Sequence, residues 1–433
     1  MTAVALKDAY GNPVTSPSRA AVDLYDSGVR SLLGFGGSVI DDFRAAIEAD
    51  PDFVLARAAL AVSLYLAEKI PEGRAEMDRA TAAAAGASPL TAGEKRHVEA
   101  LALWVAGRGN DAIPLIKEVL AGHPRDMLLM QRLYYIYFWQ GRSAEMLELT
   151  SSALETLGDD GYMLGYHAFA LEENWRLDEA LVLAERAIAI NARDAWAVHA
   201  MAHVLYERGE NERGVLALPP RIHPCDHLGY FRNHLLWHLA LMHLAEGRYD
   251  RVHKLFQSVF GDMEITVGSD LQDAVALAWR LDLYGQPDPR RWQHLGAAAR
   301  GWLEMPLLLF HDLHVGMALS AAGDWPGAEL QLERLRQRAK KTRNATLPEV
   351  VVPLMEGLHA FARGEYALSV ARIGPLTERI LEVGGSHAQR EVFHDTLLEA
   401  ALRAGEPERA GALLERRVAK RPNPGRHWLE ARA

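Results

Sequence analysis

The sequence of 433 residues contains a single cysteine, Cys225, so no disulfide can form within the chain. This scarcity is typical of proteins in a reducing compartment, and we therefore expect a cytoplasmic location. No apolar run reaches the roughly 18 residues that a membrane-spanning helix needs. The first residues also lack the basic and apolar regions of a secretory signal. These absences predict a protein without a membrane partner.

Positive charge is also in short supply. The 47 Lys and Arg residues are outnumbered by 57 Asp and Glu residues, which gives a net charge of −10 at pH 7. A nucleic-acid interface needs a concentration of Lys and Arg to replace the counterions of the phosphates. We therefore expect no nucleic-acid partner.

Two common catalytic signatures are missing as well. The glycines within residues 34–37 are not followed by Gly-Lys-Ser or Gly-Lys-Thr, so they do not match a phosphate-binding loop. The sequence has no Gly-x-Ser-x-Gly segment, which excludes the nucleophile elbow of many serine hydrolases.

A repeat with a period near 34 residues organises the chain. Gly107, Gly141, Trp175 and Gly209 stand 34 residues apart, each at a predicted turn between two helices. The pattern continues with looser spacing at Gly247, Gly323, Gly364 and Gly405. This is the period of the tetratricopeptide repeat (TPR), a helix–turn–helix unit. Between the turns the apolar residues follow a 3.6-residue period, and no long stretch alternates with period two, so a sheet is not expected.

These observations predict an all-α fold, a TPR-type α-solenoid of helix–turn–helix repeats curled around a central groove or pocket. We expect one continuous repeat domain over residues 1–433, with residues 1–19 as an N-terminal extension, 20–422 as repeats and 423–433 as a C-terminal tail. Two proline-containing connections, 218–229 and 285–291, are predicted to be loops.

Five segments together resemble the tetratricopeptide repeat protein 38 family, and the resemblance covers nearly the whole chain. They are AWAVHAMAHVL (195–205), NHLLWHLALMHLAEGRYD (233–250), DAVALAWRLDLYG (273–285), FHDLHVGMAL (310–319) and GGSHAQREVFHDTLLEAAL (384–402). The resemblance implies an all-α repeat fold. It implies no settled activity and no set of catalytic residues.

Histidines are concentrated in residues 195–243, which hold seven of the 18 in the chain. His199, His203 and Glu207 are spaced i, i+4, i+8, and His234 and His238 repeat the i, i+4 spacing on the next predicted inner helix. Each set lies on one helix face. Because inner helices of adjacent repeats lie side by side, we expect the two sets to approach one another in the groove.

Two chemical interpretations follow for these side chains. In the first, His199, His203 and His238, with His314 from a later helix, bind a divalent metal such as zinc, and a metal-bound water serves as nucleophile. The motif is not that of the zinc peptidases, because alanine follows the first histidine. In the second, no metal is bound, and His199 or His238 acts as general acid or base, oriented by Asp312 or Glu207.

Further residues are candidates for binding a ligand. Arg390 could hold an anionic group through its planar guanidinium, and His234, His387 and Asp273 are predicted to line the same pocket. The structural alternative is that the histidines only form hydrogen bonds between packed helices.

Two functions from different classes remain open at this point. A small-molecule-binding protein or enzyme, such as a hydrolase, predicts a solenoid closed into a pocket lined by His, Asp and Glu. The alternative, a TPR scaffold, predicts an open concave groove that binds a peptide or partner protein.

Overall fold

The fold is almost entirely helical. The computed structural model describes residues 6–86, 90–225, 228–261, 263–305, 308–342, 344–423 and 425–431. Within these residues the strands are β1 (Leu6–Lys7) and β2 (Pro13–Val14), which pair antiparallel, and one further bridge joins Gly36 to Leu228. The predicted all-α solenoid is therefore confirmed.

The α-helices follow one another along the whole chain. They are α1 (Arg19–Leu33), α2 (Val39–Ala49), α3 (Val54–Leu66), α4 (Ile70–Ala85), α5 (Ala92–Val105), α6 (Gly109–Gly122), α7 (Met127–Phe138), α8 (Ser143–Leu157), α9 (Gly161–Glu172), α10 (Leu177–Ile190), α11 (Ala195–Glu207), α12 (Asn211–Ala217), α13 (Pro219–Ile222), α14 (Tyr230–Ala245), α15 (Tyr249–Phe256), α16 (Gly268–Leu283), α17 (Pro289–Arg300), α18 (Leu309–Ala321), α19 (Trp325–Lys341), α20 (Val352–Ala362), α21 (Tyr366–Ile373), α22 (His387–Arg403), α23 (Pro407–Lys420) and α24 (Arg426–Ala431). Shorter helical turns span His223–Cys225, Gln257–Gly261, Leu347–Val351, Gly374–Leu376 and Ile380–Val383.

The helix pairs from α3 to α23 share one turn conformation. In each pair a residue between the two helices has φ between +60° and +78°; these residues are Glu68, Gly107, Gly141, Trp175, Gly209, Gly247, Gly285, Gly323, Gly364 and Gly405. Glycine suits this left-handed backbone, which costs a residue with a Cβ about 1–2 kcal/mol. Glu68 and Trp175 are the two exceptions.

Two segments predicted as loops are more regular than the sequence suggested. Gly285 is an ordinary repeat turn between α16 and α17, so residues 285–291 do not interrupt the array. In the other segment, Pro219 and Pro220 occupy the first positions of α13, where a missing N–H is tolerated, and a further turn follows at His223–Cys225.

The first helix of a pair faces inward, and the second is amphipathic. All 13 residues of α11 are buried, whereas the following α12 buries only Asn211 and Gly214. Within the described residues, none of the helices combines the length and the apolarity needed to cross a membrane.

The chain closes on itself, because its last full repeat returns to the concave side of earlier repeats. On α22, Thr396 accepts a hydrogen bond from Trp279 of α16 at 2.9 Å, and the carbonyl oxygen of Ala388 accepts one from Arg280 at 2.7 Å. The backbone N–H of His387 donates to Glu173 Oε1, just beyond α9, at 2.8 Å. Helix α22 therefore occupies space that an open solenoid would leave as a groove.

The N-terminal repeat fills the same side from the other end. The carbonyl oxygen of Leu32 accepts a hydrogen bond from Gln131 on α7 at 3.1 Å. The ring of Phe35, a residue with φ of +59°, stacks on Phe231 of α14 with centroids 4.0 Å apart. Phe35 also stacks on Trp196 of α11 with centroids 5.5 Å apart, so this residue packs against both helices that carry the predicted histidines.

Candidate metal centre

Three imidazoles meet in the buried interior between α11 and α14. His199 comes from α11, and His234 and His238, four residues apart, share one face of α14. His234 Nε2 lies 3.1 Å from His199 Nε2 and 3.3 Å from His238 Nε2. The three residues are 3%, 8% and 0% exposed, respectively. The structure thus brings together two residues predicted as metal ligands, His199 and His238, and one predicted to bind a ligand, His234.

Aromatic side chains surround these imidazoles. The ring of His199 lies 4.7 Å from that of Trp196 and 5.0 Å from that of Phe169, and the His234 ring stacks on Trp237 at 5.3 Å. Helix α11 is held in place at its start by Asp194, whose side chain caps the first turn. The surroundings are therefore apolar and well packed, which strengthens any electrostatic interaction within them.

Asp273 of α16 holds His234 from behind. Its Oδ2 lies 2.8 Å from His234 Nδ1, and the aspartate is 3% exposed. A carboxylate at this distance keeps the proton on Nδ1, so that the Nε2 lone pair points towards His199 and His238. Metal-binding histidines usually have such a partner on the nitrogen that does not bind the metal.

Two of the three nitrogen–nitrogen distances fit a tetrahedral ion, and the ligand atoms of all three histidines lie within 4.8 Å of one another. Zinc–nitrogen distances of about 2.0–2.1 Å imply ligand nitrogens about 3.3 Å apart, close to the two distances found here. Burial lowers the pKa of His199 and of His238 well below the usual value, and the neighbouring imidazoles lower it further. Both rings are therefore neutral at pH 7, which is the form that binds a metal.

A second polar group lies against the first. Glu172, Glu173 and His203 offer three ligand atoms within 4.8 Å of one another, and the His203 ring lies 4.5 Å from those of both His199 and His238. His203 Nδ1 is 3.4 Å from Glu172 Oε1. Neither the His203 nitrogens nor the Glu172 oxygens have a hydrogen-bond partner among the described residues.

Burial decides the charge of this second group. It raises the pKa of Glu172 well above its usual value and lowers that of His203 well below its own. Glu173 accepts hydrogen bonds from the His387 backbone at 2.8 Å and from Arg390 at 3.2 Å. The structure therefore places His203 beside the three-histidine group, without giving it the convergent geometry of the other three imidazoles.

Three of the predicted ligand-binding or catalytic residues line a cavity near the second polar group. Arg390 and His387 of α22 and Glu207 at the end of α11 line a cavity of about 220 Å³ that lies between α22, α23 and the turn at Trp175. Arg390 Nη2 lies 3.0 Å from His387 Nδ1. Burial raises the pKa of Glu207 to about 7. Glu173 contacts both Arg390 and His387 and also belongs to the group formed with Glu172 and His203.

Two predicted residues lie away from the histidine group. Asp312 was expected to orient His199 or His238, but its carboxylate binds Arg338 at 2.5 Å and also accepts from Gln331. His314 was expected as a metal ligand, but its Nδ1 lies 2.8 Å from the carbonyl oxygen of Phe310 on its own helix. The structure thus corrects both roles: Asp312 is engaged by α19, and His314 lies outside the group of described histidines whose ligand atoms converge, although its Nε2 has no hydrogen-bond partner among the described residues.

The sequence interpretation missed Glu172 and Glu173. Glu173 stands 34 residues, one repeat, before Glu207, so the repeat register could have placed it at the same end of an inner helix. Asp273 was predicted only to line the pocket, with no partner assigned to it. In the structure Asp273 is the partner of His234, and Arg280 lies near Asp395.

Comparisons with known proteins yield only distant similarities. No protein-family model matches the sequence. A chain in the structure of Naa15/Naa10 bound to HypK-THB is 12% identical, with 93% of this chain and 64% of that one covered and a TM-score of 0.26. This chain thus spans less than two thirds of that one. The P58(IPK) TPR domain is 10% identical, with 90% and 99% covered and a TM-score of 0.22.

Proposed function

We propose that the protein is a TPR-like solenoid that binds one divalent cation, zinc, through the Nε2 atoms of His199, His234 and His238. The observation that carries the proposal is the convergence of these atoms at 3.1 and 3.3 Å, with Asp273 fixing the central imidazole. The apolar wall around them and the neutral state of His199 and His238 both favour metal binding. The sequence also predicted His203 and His314 as metal ligands, and neither is part of this ligand set.

The number of ligands indicates what the ion does. Structural zinc sites are usually closed by four protein ligands, whereas catalytic sites have three and leave a position for water or substrate. Among the described residues this group contains three ligand side chains. Zinc in such a site supplies Lewis-acid chemistry, and we propose hydrolysis of a small molecule as the reaction class. Closure of the solenoid by α22 favours a small molecule over an extended peptide in the groove.

Zinc titration of metal-free protein tests the proposal. We expect one zinc per chain in the wild type and a loss of high-affinity binding in His234→Ala. The matched control is His243→Ala, which removes a partly buried histidine of the same helix α14 outside the group and should still bind one zinc. If the wild type binds no zinc, or if both variants bind it equally, the proposal is wrong and the imidazoles only form hydrogen bonds with one another.

Partner binding is the second candidate function, and the fold class itself favours it, because helical-repeat solenoids commonly bind other proteins on their extended surfaces. One specific observation supports it here. Val182 of α10 and Leu216 of α12 are 64% and 77% exposed, respectively. An ion pair between Arg213 and Glu185, at 3.3 Å, links these two outer helices. If the wild type binds no zinc, partner binding becomes the better account of this protein.

The finer family assignment also stays a proposal. The five segments quoted above support membership of the tetratricopeptide repeat protein 38 family, together with their order along the chain. Three of the proposed centre's four side chains fall in two of these segments, 195–205 and 233–250, and Asp273 begins a third. Because the family implies no settled activity, zinc binding would be a property to test in its other members as well.

A further inference from the structure

The cavity between α22 and α23 is rich in cationic side chains. Its volume is about 220 Å³, below the roughly 300–1,000 Å³ of typical drug-sized pockets. The cations on its wall are Arg390, Arg416, Arg417, Lys420 and Arg421, and the acids are Glu207, Glu378 and Glu391. Apolar surface comes from leucines and from the ring of Trp175. The cavity therefore combines cationic and apolar walls in a space that suits a small ligand.

Several guanidinium donors on this wall have no acceptor. Arg421 is 2% exposed and donates through Nη2 to Glu391, but its Nε and Nη1 have no partner among the described residues. The same holds for Nε of Arg417, whose other nitrogens contact Asp395 and Glu391. Buried donors without an acceptor are rare in folded proteins and call for an explanation. The wall between α22 and α23 therefore carries guanidinium donors that the described residues do not fully pair.

The acids around the cavity do not neutralise every cation. Glu391 remains charged, because Arg417 and Arg421 overcome the effect of burial and lower its pKa to about 2. Arg390 is paired with Glu173, and Arg416 with Glu378. Lys420 has no ion-pair partner in the described part of the chain, and its Nζ lies 5.5 Å from the centroid of the Trp175 ring. The remaining charge at the mouth of the cavity is therefore positive.

Trp175 is an unexpected residue at its position. It has φ of +60° at a repeat turn where glycine stands in most other pairs, and its side chain is 38% exposed. The ring lies tilted against that of His387, with centroids 4.4 Å apart, and beneath Lys420. Strained backbone that burial of the side chain does not explain tends to occur at functional sites. The tryptophan thus offers an aromatic surface directly beside the cationic wall.

We propose that this cavity binds a small aromatic oxyanion, whose charged group contacts Arg417, Lys420 and Arg421 and whose ring packs on Trp175. Aromatic carboxylates and aryl phosphates share this chemistry, because a guanidinium presents parallel N–H donors to either group. The site is separate from the three-histidine centre, and its occupation does not require a metal.

Calorimetric titration of metal-free protein with four probes tests the proposal. Benzoate and phenyl phosphate carry both features, inorganic phosphate lacks the ring, and benzyl alcohol lacks the charge. We expect at least one aromatic anion to bind with a Kd of about 1 mM or tighter, and to bind at least about tenfold more tightly than phosphate or benzyl alcohol. Which of the two binds more tightly identifies the anionic group.

Three variants locate the binding. Trp175→Gly, which also relieves the backbone strain, and Lys420→Gln should each weaken the binding of the aromatic anion about tenfold. Arg409→Gln is the matched control, since Arg409 is exposed on the same helix α23 and pairs with Glu406 outside the cavity. If Trp175→Gly does not fold, Lys420→Gln decides by itself.

The proposal is overturned if neither aromatic anion binds at about 10 mM, or if benzyl alcohol binds as tightly as the anions. It is also overturned if Lys420→Gln binds as the wild type does. The anion titration is also repeated with zinc present. We expect the same affinity for the anion with and without zinc, so the outcome for this cavity does not depend on whether the three-histidine centre binds zinc.

Discussion

Replacing Asp273 by asparagine should weaken zinc binding while leaving the fold intact. The carboxylate lies 2.8 Å from His234 Nδ1, and the amide oxygen of asparagine can still accept that hydrogen bond without its negative charge. Removing a partner of this kind usually lowers metal affinity about 10- to 100-fold. This corresponds to about 1.4–2.7 kcal/mol of binding free energy.

Asp270→Asn is the matched control for this change. Asp270 lies one turn earlier on α16, is also buried, and accepts a hydrogen bond from Asn233 at 3.0 Å, not from a histidine of the centre. Both variants lose one carboxylate from the same helix, so the difference between their affinities isolates the contact with His234. Competition with a chromophoric zinc chelator measures both. Affinities within about threefold of each other would refute the role assigned to Asp273.

Two further predictions concern stability. Burial raises the pKa of Glu68 from 4.5 to about 7, so this side chain contributes most to the unfolding free energy below pH 4.5 and loses that contribution as the pH rises to 7. The variant Glu68→Gln preserves an acceptor for the Gly268 N–H. The melting temperature of the wild type minus that of this variant should therefore decrease as the pH rises from 5 to 8, and a difference that stays constant would contradict the prediction. Gly73→Ala should lower the unfolding free energy by about 1–3 kcal/mol in denaturant titrations, because the new Cβ would lie 2.9 Å from the Ala61 carbonyl oxygen. Gly411→Ala, where a Cβ meets open space, should be neutral or stabilising, and equal losses in both variants would count against the packing of α4 on α3.

Local periodicity explains what could be predicted from the sequence. The turn at Gly107 and those that follow it depend on residues close together in the chain, so their spacing alone indicates helix pairs. The i, i+4 spacing of His234 and His238 likewise fixes their common face on α14. Because α11 and α14 are neighbouring inner helices, their histidines could be expected to meet.

Contacts that close the solenoid could not be predicted in this way. His387 and Glu173 are 214 residues apart, and repeat periodicity carries no information on which distant repeats meet. Turn spacing also changes along the chain, from 34 residues up to Gly209 to 38 residues between Gly247 and Gly285. This change obscured the position of Asp273 relative to the histidines of the preceding repeat. Asp312 was assigned by residue type alone, and its pairing with Arg338 depends on the packing of α19 against α18.

X-ray absorption at the zinc edge tests the central claim most directly. For zinc-loaded protein we predict three imidazole nitrogens at about 2.0–2.1 Å and one further light ligand. The imidazole contribution should fall when His234→Ala is measured under the same loading. A first shell made of oxygen atoms alone, or an imidazole contribution that His234→Ala leaves unchanged, would contradict the three-histidine centre.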